Sequence, residues 1–267
     1  MTDIPKYLED SQEELDKYVE MLEKDFFNEY FYEFLSDFRS DEDGIIDLTE
    51  HNYSVVNSIG TVFDDARDSL FDAFLIWFGY KIITGAKMNV SYFRSIGVNT
   101  RWSEVDFIER QIGLYKGKIV KGSYLHNLGY MGEVRQQIQQ YIINSMSQGA
   151  RLNRMLRDIK PLITSTKNQR SLFSKYYMKY AYNAISHAIN SVGKWIADKN
   201  GLDKFLYDGG IIKDSREFCR QRAGQIYTRD EGNEWNDMEW RGKMPDLDFF
   251  VQVGGYNCLH HIKWLNE

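Results

Sequence analysis

The residues best suited to chemistry in this chain lie near its C-terminal end. Only two cysteines occur among 267 residues, Cys219 and Cys258, and each sits among polar or turn-forming neighbours. The first run is Asp214-Ser215-Arg216-Glu217-Phe218-Cys219, followed by Arg222-Ala223-Gly224-Gln225-Ile226-Tyr227. The second is Gly254-Gly255-Tyr256-Asn257-Cys258-Leu259-His260-His261, where the glycine pair reads as a tight turn delivering a Cys-x-His segment. Two thiolates and an imidazole suit Zn²⁺, with Asp214 or His261 as the fourth ligand. The metal set read from the sequence is therefore Cys219, Cys258, His260 and Asp214. Against it, structural zinc sites bring their ligands in close pairs, and Cys219 has no Cys-x2-Cys partner. A reduced thiol pair packed in a small core accounts for the same residues, and a disulfide does so in an oxidising setting. In each case Cys219 and Cys258 are expected to be close in the fold.

The same residues admit catalysis in principle. A Cys beside a His is a nucleophile with its base, and a His doublet near a metal occurs in nucleases. No oxyanion donor loop and no ββα order with acidic ligands can be read here. Phosphate loops, Gly-x-Ser-x-Gly elbows, His-Glu-x-x-His pairs and EF-hand loops do not occur. Catalysis is not expected.

In order and spacing, these runs resemble the C-terminal signature of the phage Mu F-like head morphogenesis proteins, minor head proteins of tailed bacteriophages. That signature has Asp, Ser or Thr, and Arg, then Cys or His, then Gly with an aromatic or aliphatic partner. After a variable loop it closes on turn residues and Asn-Cys-Arg-Cys or Asn-Cys-Arg-His. Asp214, Ser215, Arg216, Cys219, Gly224, Tyr227, Asn257, Cys258 and His260 fall on the pattern, and Leu259 stands where Arg is usual. The resemblance extends from about Met131 to Lys263, where Asn183 matches a polar position expected to hydrogen-bond the C-terminal unit. It implies a non-enzymatic virion protein inside the capsid, assembled in the host cytoplasm and associated with the portal vertex. Its implied partners are the portal protein, the major capsid or scaffolding protein, and packaged DNA, in head assembly and DNA packaging or ejection. The reading from another class is a metal-dependent nuclease or other hydrolase acting on nucleic acid.

The elements that must position these residues are mostly helices. Three prolines in the whole chain favour long uninterrupted ones. Leu15, Val19, Leu22, Phe26, Tyr30, Phe34 and Phe38 recur at three or four residues, predicting an amphipathic helix from Ser11 to Phe38. Ser11 and Glu14 form a capping box there, and Glu20 and Glu23 lie on the polar side. The apolar stripe reads as core or as a docking face. A second helical region runs from Thr49 to Thr84, followed by strand or loop from Gly85 to Thr100. Another helix begins at Ser103, and Lys116 to Tyr130 reads as a turn-rich connector. Helices then span Met131–Ser147, Leu152 to Pro161, and Lys167–Asn200, stopped by Gly201 and carrying His187 as a packed histidine. Beyond it, Lys204–Tyr207, Ile211-Ile212, Gln225–Tyr227, Phe249–Val253 and His260–Leu265 read as short strands, with Asp230–Asp248 a surface loop.

The expected fold is mainly α: long helices followed by a small α+β C-terminal domain. Four segments are read: an acidic helical arm 1–46, a helical region 47–130, a basic helical scaffold 131–200, and the small α+β signature domain 201–267. Charge is strongly segregated. Residues 1–50 carry 17 acidic and 4 basic side chains, residues 51–200 carry 10 and 20, and residues 201–267 carry 12 and 9. Such asymmetry marks either internal neutralisation or a polyanionic partner of the basic stretch. No apolar run approaches the ~20 residues of a bilayer span, so no membrane is expected. Met1-Thr2-Asp3-Ile4-Pro5 has none of the features of a secretion signal. Two cysteines in so long a chain fit a reducing compartment.

Overall fold

The fold is described from a computed structural model covering residues 3–100 and 103–266. It is mainly α-helical with a small sheet near the C-terminus, as the sequence predicts. Helix α1 (Ile4–Phe26) passes through a π-helical turn, Phe27–Phe31, into α2 (Tyr32–Ser36). Then come α3 (Glu50–Asn57), α4 (Ile59–Ala66), a second π-turn Arg67–Phe71, α5 (Asp72–Ser95) and α6 (Ser103–Ile112). Two short strands, β1 (Leu114–Tyr115) and β2 (Lys118–Ile119), pair before α7 (Tyr124–Tyr130), α8 (Gly132–Ser147) and α9 (Leu152–Ile163). Helices α10 (Leu172–Tyr180) and α11 (Tyr182–Asn200) lead into β3 (Lys204–Asp208), α12 (Glu217–Arg220), β4 (Ile226–Thr228), α13 (Arg229–Glu234), α14 (Phe249–Gln252) and β5 (His261–Leu265). No helix among the described residues is long and apolar enough to cross a membrane.

Two compact units account for the chain. One gathers the described residues of 1–14, 78–118 and 180–267, the other those of 15–77 and 119–179. They cross-cut the four consecutive segments read from the sequence, because each unit closes over stretches far apart along the chain.

The unit built from 15–77 and 119–179 has an aromatic core. Phe26 is fully buried, its ring 4.8 Å from that of Phe63, 5.1 Å from Phe173 and 5.6 Å from Phe71. Leu15, Leu22, Phe26 and Phe34 are all buried within the chain, so the stripe serves as core. Three expectations for this helix are corrected. It starts at Ile4 rather than Ser11, which is buried inside it. The π-turn inserts a residue and rotates the following turns, so Phe27 and Phe31 face the core where straight periodicity placed Tyr30. Glu23 is buried too, accepting from the backbone N–H of Ser165 at 2.6 Å and from the hydroxyls of Ser165 and Ser171. Burial still raises its carboxyl above the ordinary value despite these donors.

In the other unit, α5 and α11 pack closely and the sheet lies against α11. Helix α5 runs straight through Gly85, overturning the strand or loop expected there; a Cβ at Gly85 would lie 2.6 Å from Ile189 Cδ1. Its glycine serves helix contact, not a break. Asn89 Nδ2 in α5 donates to the Ile189 carbonyl at 2.7 Å. The predicted helix over Lys167–Asn200 is two helices meeting at Ala181, and the C-terminal stop at Gly201 has the left-handed φ of 65°.

The sheet has the order β4-β3-β5, antiparallel throughout, with Phe205 opposite both Tyr227 and Trp264. Of the five predicted strands, those at Lys204, Gln225 and His260 form; Ile211-Ile212 remains a loop. Of Phe249–Val253, the first four residues form the helix α14, capped by Asp248 Oδ1 accepting from the Phe250 N–H at 2.7 Å. The predicted surface loop 230–248 contains α13 and buries Trp235 against Phe249, ring centroids 4.7 Å apart. Helix α9 extends past Pro161 to Ile163, and the predicted connector contains α7, capped by the Ser123 side chain.

Candidate functional site

The sheet end nearest the C-terminal turn assembles a sulfur–imidazole cluster. Alternation along β3 buries Phe205 and Tyr207 on one face. Helix α12 presents Cys219, and the segment between α14 and β5 presents Cys258 and His260. The two sulfurs are 3.9 Å apart, unbonded and buried. Cys258 Sγ is 3.5 Å from His260 Nδ1, and the Tyr207 hydroxyl donates to Cys219 Sγ at 3.3 Å.

The backbone around the cluster is closely specified. Gly254 abuts both sulfurs and the Tyr207 hydroxyl, so any Cβ there would overlap them. Gly209, at φ +143°, leaves β3 beneath His260, where a Cβ would lie 2.7 Å from the imidazole Cδ2. Arg216 Nη1 donates to the Gly254 carbonyl at 3.3 Å and Nη2 donates to that of Tyr256. Trp240 Nε1 adds a second donor to Gly254 at 3.1 Å. Val253 and Asn257 both hold left-handed φ, 53° and 56°. For a β-branched valine this is strained backbone, maintained by the packing around it. The Asn257 N–H donates to Asn183 Oδ1 on α11 at 2.7 Å, the link expected for that position.

Electrostatically the pair of thiols behaves as one site. The hydrogen bond between the two thiols, helped by the His260 and Tyr207 contacts, draws the Cys219 thiol below its ordinary range against the opposing effect of burial. The same interaction, reinforced by burial, pushes Cys258 up, so the pair favours one thiolate and one thiol. Burial, then the nearby sulfur charge, raises the Tyr207 phenol and keeps it a donor.

The structure brings Cys219, Cys258 and His260 together, with one donor atom from each within 4.8 Å of the others. That group could hold a metal ion: two sulfurs and one imidazole nitrogen are three ligands of the types zinc takes. Asp214 lies on the wall of an adjoining cavity of about 80 Å³, outside this trio. His261 is buried on β5, with Nε2 4.0 Å from Asp208 Oδ2. Burial lowers its pKa to about 3, so the imidazole is neutral and this approach is not an ion pair. Sequence reading missed Tyr207. Its signal was present: a tyrosine on the inward phase of a short strand must find a partner for its hydroxyl.

No protein-family model, curated protein or solved structure matches this chain.

Proposed function

We propose that this chain is a minor head protein of a tailed bacteriophage, a structural virion component whose C-terminal region is stapled by one Zn²⁺. Cys219, Cys258 and His260 would hold the ion, which would supply cohesion between α12 and the segment leading into β5 rather than turnover. The observation that carries this reading is the convergence of the signature residues. Arg216, Cys219, Asn257, Cys258 and His260 line one cavity, and Asn183 hydrogen-bonds Asn257. Residues spread along a signature serve here to fix one backbone turn and one donor cluster, the behaviour of a fold-defining motif. The resemblance supplies the remaining parts of the proposal: the capsid interior as location, the portal protein as principal partner, and the major capsid or scaffolding protein as others. Contact with packaged DNA is assigned to α9 and the residue before it, where Arg151, Arg154, Arg157 and Lys160 are exposed.

Quantitative mass spectrometry of purified proheads and virions tests the assignment, with a fixed number of copies per portal ring expected. Absence from both particles removes it. DNA cleavage supported by Mg²⁺ or Mn²⁺ and abolished by His260→Ala would favour the nuclease reading instead. Elemental analysis tests the staple: about one zinc per chain, lost in Cys258→Ser. Metal-free protein of unchanged stability would reduce the cluster to a packed thiol pair.

A further inference from the structure

Three protein ligands leave a tetrahedral ion one position short, and a cavity adjoins this cluster. The cavity of about 80 Å³ is bordered by all three donors together with Asp214, Ser215, Arg216 and Asn257. A water needs roughly 10–15 Å³ of such space, so the cavity accommodates a small molecule. Two residues on its border each carry a buried polar atom with no hydrogen-bond partner in the protein, His260 at Nε2 and Asn257 at Oδ1. His260 is itself one of the three proposed metal ligands, but the Asn257 oxygen still calls for a donor, because burying it unpaired costs about 1–3 kcal/mol.

The wall also selects the kind of ligand. Asn257 Oδ1 and the Asp214 carboxylate are acceptors, so both favour a group that brings hydrogens. Arg216, the one cation on the wall, directs Nη1 and Nη2 to the Gly254 and Tyr256 carbonyls, which leaves an anion weakly served. We infer that a metal held by Cys219, Cys258 and His260 keeps its fourth position open to this cavity and takes there an exchangeable neutral donor, water or an imidazole-like base, hydrogen-bonded to Asn257. Asp214 shapes the wall and is not the fourth ligand. This inference rests on the metal reading above, and the experiment separates the two.

The full-length protein is loaded with Co²⁺, whose visible absorption reports coordination, and titrated with imidazole and, separately, azide. Imidazole is expected to shift the spectrum saturably, and azide to leave it unchanged at the same concentrations. Asn257→Gly removes the acceptor while tolerating the positive φ, and should weaken imidazole binding about tenfold with Co²⁺ affinity retained. Asp214→Asn should keep Co²⁺ affinity within about threefold, well short of the 10–100-fold that losing a supporting contact produces. Bound Co²⁺ that ignores imidazole, or answers azide instead, overturns the open neutral-donor position alone. So does a hundredfold loss of Co²⁺ affinity in Asp214→Asn, which would make the aspartate a ligand. Failure to bind Co²⁺ at all overturns the metal reading and this inference with it.

Discussion

Asn183, at the start of α11, accepts the backbone N–H of Asn257 at 2.7 Å across 74 positions of sequence. That bond holds Asn257 in its left-handed conformation immediately before Cys258, so a helix of the scaffold sets where the second sulfur sits. Replacing Asn183 with Ala leaves a half-buried N–H without its partner, and stability should fall by about 1 kcal/mol. Denaturant midpoints measure the loss, and a thiol reagent should reach Cys258 faster than in the wild type. Asn183→Asp, which keeps the acceptor, should remain closer to wild type in both assays.

The aromatic core predicts a larger effect at Phe26. Its ring meets Phe63, Phe71 and Phe173 with no exposure, so Phe26→Ala should destabilise by about 3–5 kcal/mol. Thermal melting checks the size. A soluble, normally folded Phe26→Ala protein that merely failed to associate would instead mean that the stripe is a docking face.

His187 gives the protein an acid sensitivity of definite sign. Burial lowers its pKa from 6.5 to about 4, so between these values the unfolded chain binds a proton that the folded chain refuses. Its contribution is therefore fully present above pH 6.5 and is lost as pH falls toward 4. The expected loss across that window is of order 1–3 kcal/mol. His187→Gln should flatten the stability profile between these limits, as followed by denaturant titration at each pH; an unchanged slope would assign the acid sensitivity elsewhere.

Helix α9 makes the DNA proposal quantitative. The side chains of Arg154 and Arg157 are 71% and 73% exposed and share one acidic neighbour, Asp158. Duplex DNA binding should be detectable at low salt and decline steeply as salt rises, through counterion release. Arg154→Ser with Arg157→Ser should lower the logarithmic salt slope by about 2, one for each phosphate contact. Equal affinity in the double variant would show that α9 is a solvated face.

Local sequence determined much of the scaffold. The three-to-four spacing from Leu15 to Phe26 fixes a buried helix face, since that period places side chains over one another whatever they pack against. Thr49 caps α3 through the Asn52 N–H, and Gly201 ends α11, because hydroxyl acceptors and a residue tolerant of positive φ are intrinsic to those positions. Strands β3, β4 and β5 likewise emerge from short apolar alternation bounded by turn residues. The expectation that Asn183 would hydrogen-bond the C-terminal segment is met by its bond to the Asn257 N–H.

Other features were settled only when distant segments met. Phe249–Val253 has the composition of a strand, yet the Asp248 cap and packing beneath Trp235 make Phe249–Gln252 helical; periodicity cannot separate the two in so short an apolar run. Gly85 has the same local character as Gly201, but the approach of Ile189 keeps it inside a helix. The π-turn that trades Tyr30 for Phe31 serves a core completed by Phe173, far along the chain. The cluster itself shows the division most clearly. Residue types named Cys219, Cys258 and His260 as chemically apt, whereas the 3.9 Å between sulfurs depends on β3 pairing with β5, on Gly254 admitting both thiols, and on Arg216 holding the turn. Those contacts close long loops, and loop closure is rewarded only by the tertiary packing it makes possible.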